Sequence, residues 1–482
     1  MGEAMRIPGW VLLVTVLFGP AVQAQGTDED KNDKNDKREQ PVAPYAPPLP
    51  AGKTSVLAMN LPQGATEQTE VAGSNHPLGG VQDPTLGPIL GARNFLIPSI
   101  SVVSQVATGS SGSGFTRPTA FSYLLGALDL NRVSERSELL LHYTGGGMFS
   151  SYLSSAIQDM EFSYSYKWQR WSLLAGDQVS YLSESPFGFG GVGGLAFLNG
   201  TSQFGPFLNG TLAPNQTIPT IVAPRLSNTA VSQIEYELSP RSSWTASGSY
   251  GMLNFFGAGF INSTDGILQT SYNYAVSQQS SIAVMYRFDA FRFSYLPQRI
   301  EGHVAQLGYA RYVTGRLSLH LAVGPNLEKF QGIVIGTANR LSWAVDSGLN
   351  YKMDRTNLLL SYDHLMTGGS GVLVGAETSQ VEATAERKLT ARWQGSASLG
   401  FASNQGLVQT SANLGKQHYD SWYGAARFSY QLRPGTDFFL AYGARLEATK
   451  ASACGVPNCG TSGVSHEISA GFNFGLRPLL FR

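Results

Sequence analysis

The stretch Met160-Glu161-Phe162-Ser163-Tyr164-Ser165-Tyr166-Lys167-Trp168 decides the fold. Every second residue is large and apolar and every intervening one is polar, a period of two that belongs to a strand with one greasy face and one wet face. The pattern recurs down the chain. Ile282, Val284, Tyr286 and Phe288 alternate with Ala283, Met285, Arg287 and Asp289, and Leu317, Leu319, Leu321 and Val323 alternate with Ser318, His320 and Ala322. Leu341, Trp343, Val345, Leu349 and Tyr351 alternate with Ser342, Ala344, Asp346, Gly348 and Asn350, with Ser347 breaking the rhythm. Later runs are Trp393, Ala397, Leu399 and Phe401, then Phe438, Leu440, Tyr442, Ala444 and Leu446, and last Ile468, Ala470, Phe472, Phe474 and Leu476.

Each run is about 10 to 13 residues, twice the usual globular strand and matched to a tilted strand that crosses a bilayer. Tight turns at Gln169-Arg170, Pro240-Arg241, Gln278-Gln279, Gly315, Asp354-Arg355, Thr390 and Pro434-Gly435 alternate with longer connections, as periplasmic turns alternate with extracellular loops in membrane barrels. The period predicts an all-β fold, a transmembrane antiparallel up-and-down barrel of roughly 18 strands with 16 as the smaller count, both termini at the periplasmic end. The runs near Phe95, which carries Pro98, and near Phe121 are the least regular. Tyr164, Tyr166 and Trp168, with Trp171 across the turn, are placed to form an aromatic girdle at the headgroups.

Composition agrees. Of 482 residues 14% are charged and 55 are Gly, and 33 Lys+Arg balance 33 Asp+Glu. A neutral chain has no electrostatic footprint for nucleic acid or an anionic surface. Arg6, the apolar run from Trp10 to Phe18, a Gly-Pro break and Val22-Gln23-Ala24 form a secretory signal over residues 1–24. A run of about nine apolar residues cannot span a bilayer that needs roughly 20. An exported chain without a spanning helix enters a membrane only as a closed barrel, where every backbone group finds a partner.

Residues 25–92 read as a disordered, charged and Pro-rich periplasmic segment: 28–39 is a mixed-charge run without an apolar residue and 41–50 is Pro-rich. A solvated spacer is the simpler reading, and a pore plug or polymer-binding tail the functional one. The barrel is expected over 93–482. Cys454 and Cys459, in a turn-rich C-x4-C, are expected to close a disulfide, since a zinc site wants about four ligands; two unpaired thiols are the alternative.

The export signal, Gly-rich alternating strands and short turns opposed to long loops resemble Gram-negative outer-membrane β-barrels of the porin-like kind. The ending is similar to that family's assembly signal, with Ser469, Gly471, Phe474 and Leu476 at the polar, glycine, aromatic and hydrophobic places, although the chain runs on to Phe481-Arg482. The resemblance implies that outer-membrane lipid and the barrel-insertion machinery are partners, and that the Gram-negative outer membrane is the location.

No motif calls for a cofactor or a metal. Gly188-Phe189-Gly190-Gly191-Val192-Gly193 fits G-x-G-x-x-G without the helix and acidic residue that a dinucleotide site needs. Asp363-His364 has acid and imidazole side by side, but adjacent strand residues face opposite ways, so no catalytic site and no enzyme activity are expected. The almost uncharged loop from 183 to about 226, with only Glu184 and Arg225 near its ends, repeats Phe-Leu-Asn-Gly-Thr at Phe197 and Phe207; it is expected to fold into the lumen, to project as a contact loop, or to be a disordered insertion.

Alternation assigns Glu161, Lys167, Glu235, Arg287, Asp289, Arg340, Asp346, Lys352, Asp363, Glu382, Arg392, Arg427, Arg445 and Glu447 to the lumen. Both signs are interspersed. The functional expectation is a passive, weakly ion-selective channel for small hydrophilic solutes, since about 16 to 18 strands leave an aqueous bore. The alternative is a structural or interaction barrel in surface-polymer export or adhesion.

Overall fold

The computed structural model describes residues 94–108, 118–150, 154–182, 224–256, 260–294, 298–332, 336–368, 371, 373–407, 418–433, 435–449, 463–476 and 479–481. The signal, the segment 25–92, most of the neutral loop and both cysteines lie outside them.

Eighteen long strands follow one another around a ring: β1 Asn94–Thr108, β2 Thr119–Val133, β3 Ser137–Ser150, β4 Ser154–Trp168, β5 Trp171–Leu182, β6 Arg225–Ser239, β7 Ser242–Phe255, β8 Ser263–Ala275, β9 Ser280–Phe293, β10 Arg299–Tyr312, β11 Leu317–Gly332, β12 Gly336–Lys352, β13 Thr356–Thr367, β14 Ala376–Lys388, β15 Trp393–Gly406, β16 His418–Arg433, β17 Thr436–Thr449 and β18 Gly463–Gly475. Each pairs antiparallel with its sequence neighbours, and β1 pairs with β18 from Ser99↔Gly475 to Thr108↔His466, which closes the barrel. The residues past β18 continue as β19, Leu479–Phe481, alongside Asn94, Phe95 and Leu96. The chain's extension beyond the terminal aromatic of the assembly-signal pattern therefore completes the pairing of β1.

At one end of the barrel the connections are 134–136, 169–170, 240–241, 276–279, 313–316, 353–355, 389–392 and 434–435. These include all the turns read from the sequence, plus 134–136. The shortest need unusual backbone: Gln169 has φ 50° and Gly435 φ 79°, the left-handed region that a two-residue hairpin turn uses.

Phase follows burial. The apolar partners of each alternation, such as Leu124, Leu268, Val284, Leu307 and Leu341, are exposed on the outer face, while their neighbours are buried inside. In a single-walled barrel that outer face is the lipid face. Aromatic residues gather at its two margins. At the turn end Trp171 meets Tyr236 at 4.5 Å and Trp393 meets Tyr430 at 4.8 Å; nearer the other rim Phe401 meets Trp422 at 4.3 Å and Tyr181 meets Phe256 at 5.8 Å.

Leu268 is 65% exposed and stands at the middle of β8, beside the inward Gln269. Leu268→Arg should destabilise the barrel by about 2–4 kcal/mol, the cost of a cation at the bilayer midplane, while Gln269→Arg should change stability little. Urea unfolding in lipid vesicles measures both, and equal effects would show that the two faces are misassigned.

Candidate functional site: a hairpin inside the barrel

The wall opens at one junction, between β12 and β13, while β14 stays paired with β15 from Ala376↔Gly406 to Lys388↔Gln394. β12 and β13 are paired only from Val345↔His364 to Lys352↔Asn357, whereas β13 and β14 stay paired up to Thr367↔Ala376. Above His364 the β13–β14 hairpin is therefore free of β12, and its side chains show where it goes. Met366 and Val374 pack with Phe291 and Phe293 of β9, Ile300 of β10 and Phe330 of β11, all inward-facing. Leu373 and Ala376 pack with Leu253 and Phe255 of β7 and with Tyr419 of β16. A segment that touches the inner faces of β7, β9, β10, β11 and β16 crosses the lumen.

Backbone bonds pin the tip from two sides. The Ile261 N–H donates to the Gly371 carbonyl at 2.9 Å, and the Leu407 N–H to the Gly375 carbonyl at 3.2 Å. Gly371 has φ 83° with the Phe255 ring against the place of a Cβ, so a side chain there would meet both backbone strain and a clash.

The ladder lost between β12 and β13 is replaced by a charged cluster. Glu377, on β14, accepts from Arg340 Nη2 and Ser342 Oγ of β12 and lies 3.1 Å from His364 Nε2. His364 Nδ1 is 2.7 Å from Ser379 Oγ, and Arg340 Nε stands 3.8 Å from Glu328 of β11. Charge-assisted bonds of this kind are stronger than neutral ones. On the tip's other side Thr367 and Thr378 share a hydrogen bond at 2.8 Å, and Thr378 donates to Asn404 Oδ1 at 2.7 Å.

Strand phase alone assigns His364 to the lipid side with Tyr362. The structure puts it inside, because the hairpin's former outer face packs on the inner face of β9–β12. Its neighbour Asp363 stands opposite Asp346, which lies 3.2 Å from His320 Nε2. Asp363 thus faces another carboxylate while His364 bonds Glu377 and Ser379, so the two form no acid-imidazole pair.

The other residues assigned to the lumen fall as follows. Glu161 is buried on the inner face of β4, and Arg287 Nε meets Asp289 at 3.0 Å on β9. Glu382 is on the inner face of β14, opposite Ser361. Arg427 lies 3.7 Å over the ring of Phe439, and Arg445 is buried on β17. Lys167, Glu235 and Lys352 sit towards the turn end of β4, β6 and β12, and Arg392 is in the connection 389–392. The Glu447 side chain is outside the described set. Ser469 is buried inside opposite Gln105, Gly471 faces Val103, and Phe474 and Leu476 are on the outer face.

The inner face also holds acids absent from the sequence assignment: Asp129, Glu138, Asp159, Asp265, Glu328, Glu377, Glu386, Asp437 and Glu467. Among the described residues the additional inward bases include Arg225, Lys388 and the imidazoles His142, His320 and His364. Some acids are matched locally, as Asp129 is by His142 Nδ1 at 2.5 Å. Among the described residues the inward carboxylates still outnumber the inward Lys and Arg.

No protein-family model matches the chain, and no curated protein matches it. Among solved structures it is similar to Pseudomonas aeruginosa OccK2 (OpdF) in complex with glucuronate, with a TM-score of 0.43 and 7% identity over 79% of this chain and 98% of that one. It is also similar to Pseudomonas aeruginosa OpdK with vanillate, at 0.40 and 9% over 79% and 98%, and to the ferric citrate transporter FecA in its unliganded form, at 0.40 and 9% over 81% and 80%.

Glu377→Gln removes the charge that holds the tip to β12. It should weaken the tip by about 1–3 kcal/mol and lower hydrogen-exchange protection over 365–376 while the β9–β11 amides stay protected. Unchanged protection would show that the apolar contacts alone hold the hairpin.

Proposed function

We propose that this chain is an outer-membrane channel for passive diffusion of small hydrophilic solutes. One observation carries the reading: a closed 18-strand barrel with an apolar outer face has a polar, charged inner face, and a hairpin from its own wall crosses the bore. A barrel built only as a scaffold has no use for inward charges on strands all round the ring. Rings of about this size leave an aqueous lumen, and an element laid across it narrows the passage to the dimensions of small solutes.

The inward carboxylates modify the expectation of weak selectivity. Where acids outnumber cations in a confined bore with low-dielectric walls, the field concentrates cations. Asp346 and Asp363, face to face on β12 and β13 just below the hairpin's departure, place two carboxyl groups at the narrowed level. Their side chains belong to the channel wall, and the solutes favoured are neutral or cationic.

In planar bilayers across a salt gradient the purified protein should give a reversal potential of cation sign, and Asp346→Asn with Asp363→Asn should move it towards zero. A reversal potential of anion sign would overturn the selectivity. Absence of any conductance from a correctly folded barrel would overturn the channel itself.

A further inference from the structure

We infer that copies of this chain bind one another through two sites on the outer face: a hollow with a carboxyl group on β5 and β6 of one copy receives an aromatic and imidazole knob on β9 and β10 of the next. The hollow holds Asp177, which shares its face with Trp171, Leu173, Ala175 and Val179 and stands in register with Phe162 of β4 and Ala230 of β6. Asn228 Nδ2 donates to its Oδ1 at 2.7 Å. Two aromatic pairs bracket Asp177 on this face. Trp171 with Tyr236 lies six residues towards the turns, and Tyr181 with Phe256 four residues towards the other rim. Ten residues of tilted strand rise about 25 Å, the height of the apolar band between two girdles, so Asp177 stands within the hydrocarbon.

An ionisable group at membrane depth is costly unless a partner meets it. Asn228 is neutral, and no Lys, Arg or His bonds Asp177 among the described residues. Lipid tails carry no donor to complete the pairing, whereas a second protein surface does. The ground beside the pair is low enough for one to approach: Ala175, Ala230 and Ser232 flank it towards β6. Small residues let membrane-spanning elements come close to one another.

The complement is on the same surface. His303 of β10 faces outward between Phe288 of β9 and Leu327 of β11. Its Nδ1 lies 2.7 Å from the Tyr286 hydroxyl and its ring 5.2 Å from that of Phe288, while Nε2 has no partner among the described residues. The imidazolium form carries the charge opposite to Asp177, and the three rings stand up where the other site is low. Heights agree as well. Asp177 and Asn228 are 7 and 12 residues from Arg170 and Pro240 at the turn end, and Tyr286 and His303 are 7 and 10 residues from Gln279 and Val313. A two-fold dimer would set Asp177 against its own image, so the contact is heterologous, and such a contact closes a ring. The β5–β6 and β9–β10 seams are four strands apart in eighteen, about 80° of the circumference, between the about 60° and about 90° that rings of three and four copies need.

The contact lies on the outer face, so its test does not depend on whether the barrel conducts. In the full chain carrying Cys454→Ser and Cys459→Ser, one nitroxide is attached through Met160→Cys or through Leu327→Cys, exposed residues on the strands that flank the hollow and the knob. The labelled chains are refolded into excess lipid, and closure of each barrel is checked by faster migration unheated than boiled. Mixing the two should give a spin–spin separation below roughly 20 Å, two spacings of packed sheets, which neither labelled chain gives alone. Asp177→Leu in the first, or His303→Phe in the second, should lower the population at that separation about tenfold or more, as the loss of a desolvated charge pair does. Absence of the short separation from the mixture overturns the inference. A short separation within one labelled chain by itself overturns it in favour of a two-fold contact, and one that survives both substitutions in folded barrels overturns it because the copies then meet elsewhere.

Discussion

In hydrocarbon no backbone N–H or C=O can be left without a partner, and everything in this molecule follows from how the strands meet that demand. The ring closes only when β18 lies against β1, so the first and last strands of the barrel are each other's partners, and β19 extends that seam to Phe95 and Leu96. Side-chain chemistry adapts to the seam: Gly471 leaves room for Val103 and Phe439 to meet across it. Closure removes any edge, and with it the freedom of a strand to slip, because a one-residue slip would turn every outward Leu and Trp into the bore and every inward carboxylate into lipid.

The hairpin is the exception that the same rule allows. Above Val345 the edge of β12 loses its neighbour, which is tolerable only where freed backbone groups line a wet cavity or stand beyond the hydrocarbon. The lost ladder is offset in two ways. Met366, Leu373 and Val374 gain an apolar bed on β7, β9, β10 and β11, and Glu377 with Arg340, Ser342 and His364 forms a polar clasp against β12. The clasp fixes where the hairpin leaves the wall, and the apolar tip fixes how far across it reaches.

The sequence made the barrel legible because a period of two is unambiguous where one face meets lipid. The turns at Gln169, Pro240 and Gly435, and the inward places of Arg287, Asp289 and Asp346, follow from it directly. The acids on β2 and β3 were harder to see: Leu139-Leu140-Leu141 and Gly145-Gly146-Gly147 blur the alternation, so Asp129 and Glu138 could not be given a face. The hairpin was hidden by the period itself, which runs through Tyr362 and His364 without a break and assigns both to lipid. A fold in which a strand abandons the wall keeps its local pattern and changes only what that pattern packs against. The available sign was the short connection after Met366, where Leu373 and Val374 stand among glycines at a place that a solvent loop would fill with polar residues.

The measurement that bears most directly on a hairpin-narrowed channel is single-channel conductance with residues 368–375 replaced by an Asn-Gly turn, which shortens the tip so that it no longer reaches β7 and β9. The conductance should rise well above that of the unaltered chain, with the unheated gel mobility of a closed barrel retained. A conductance that stays the same in a folded barrel would contradict the placement of the hairpin across the passage.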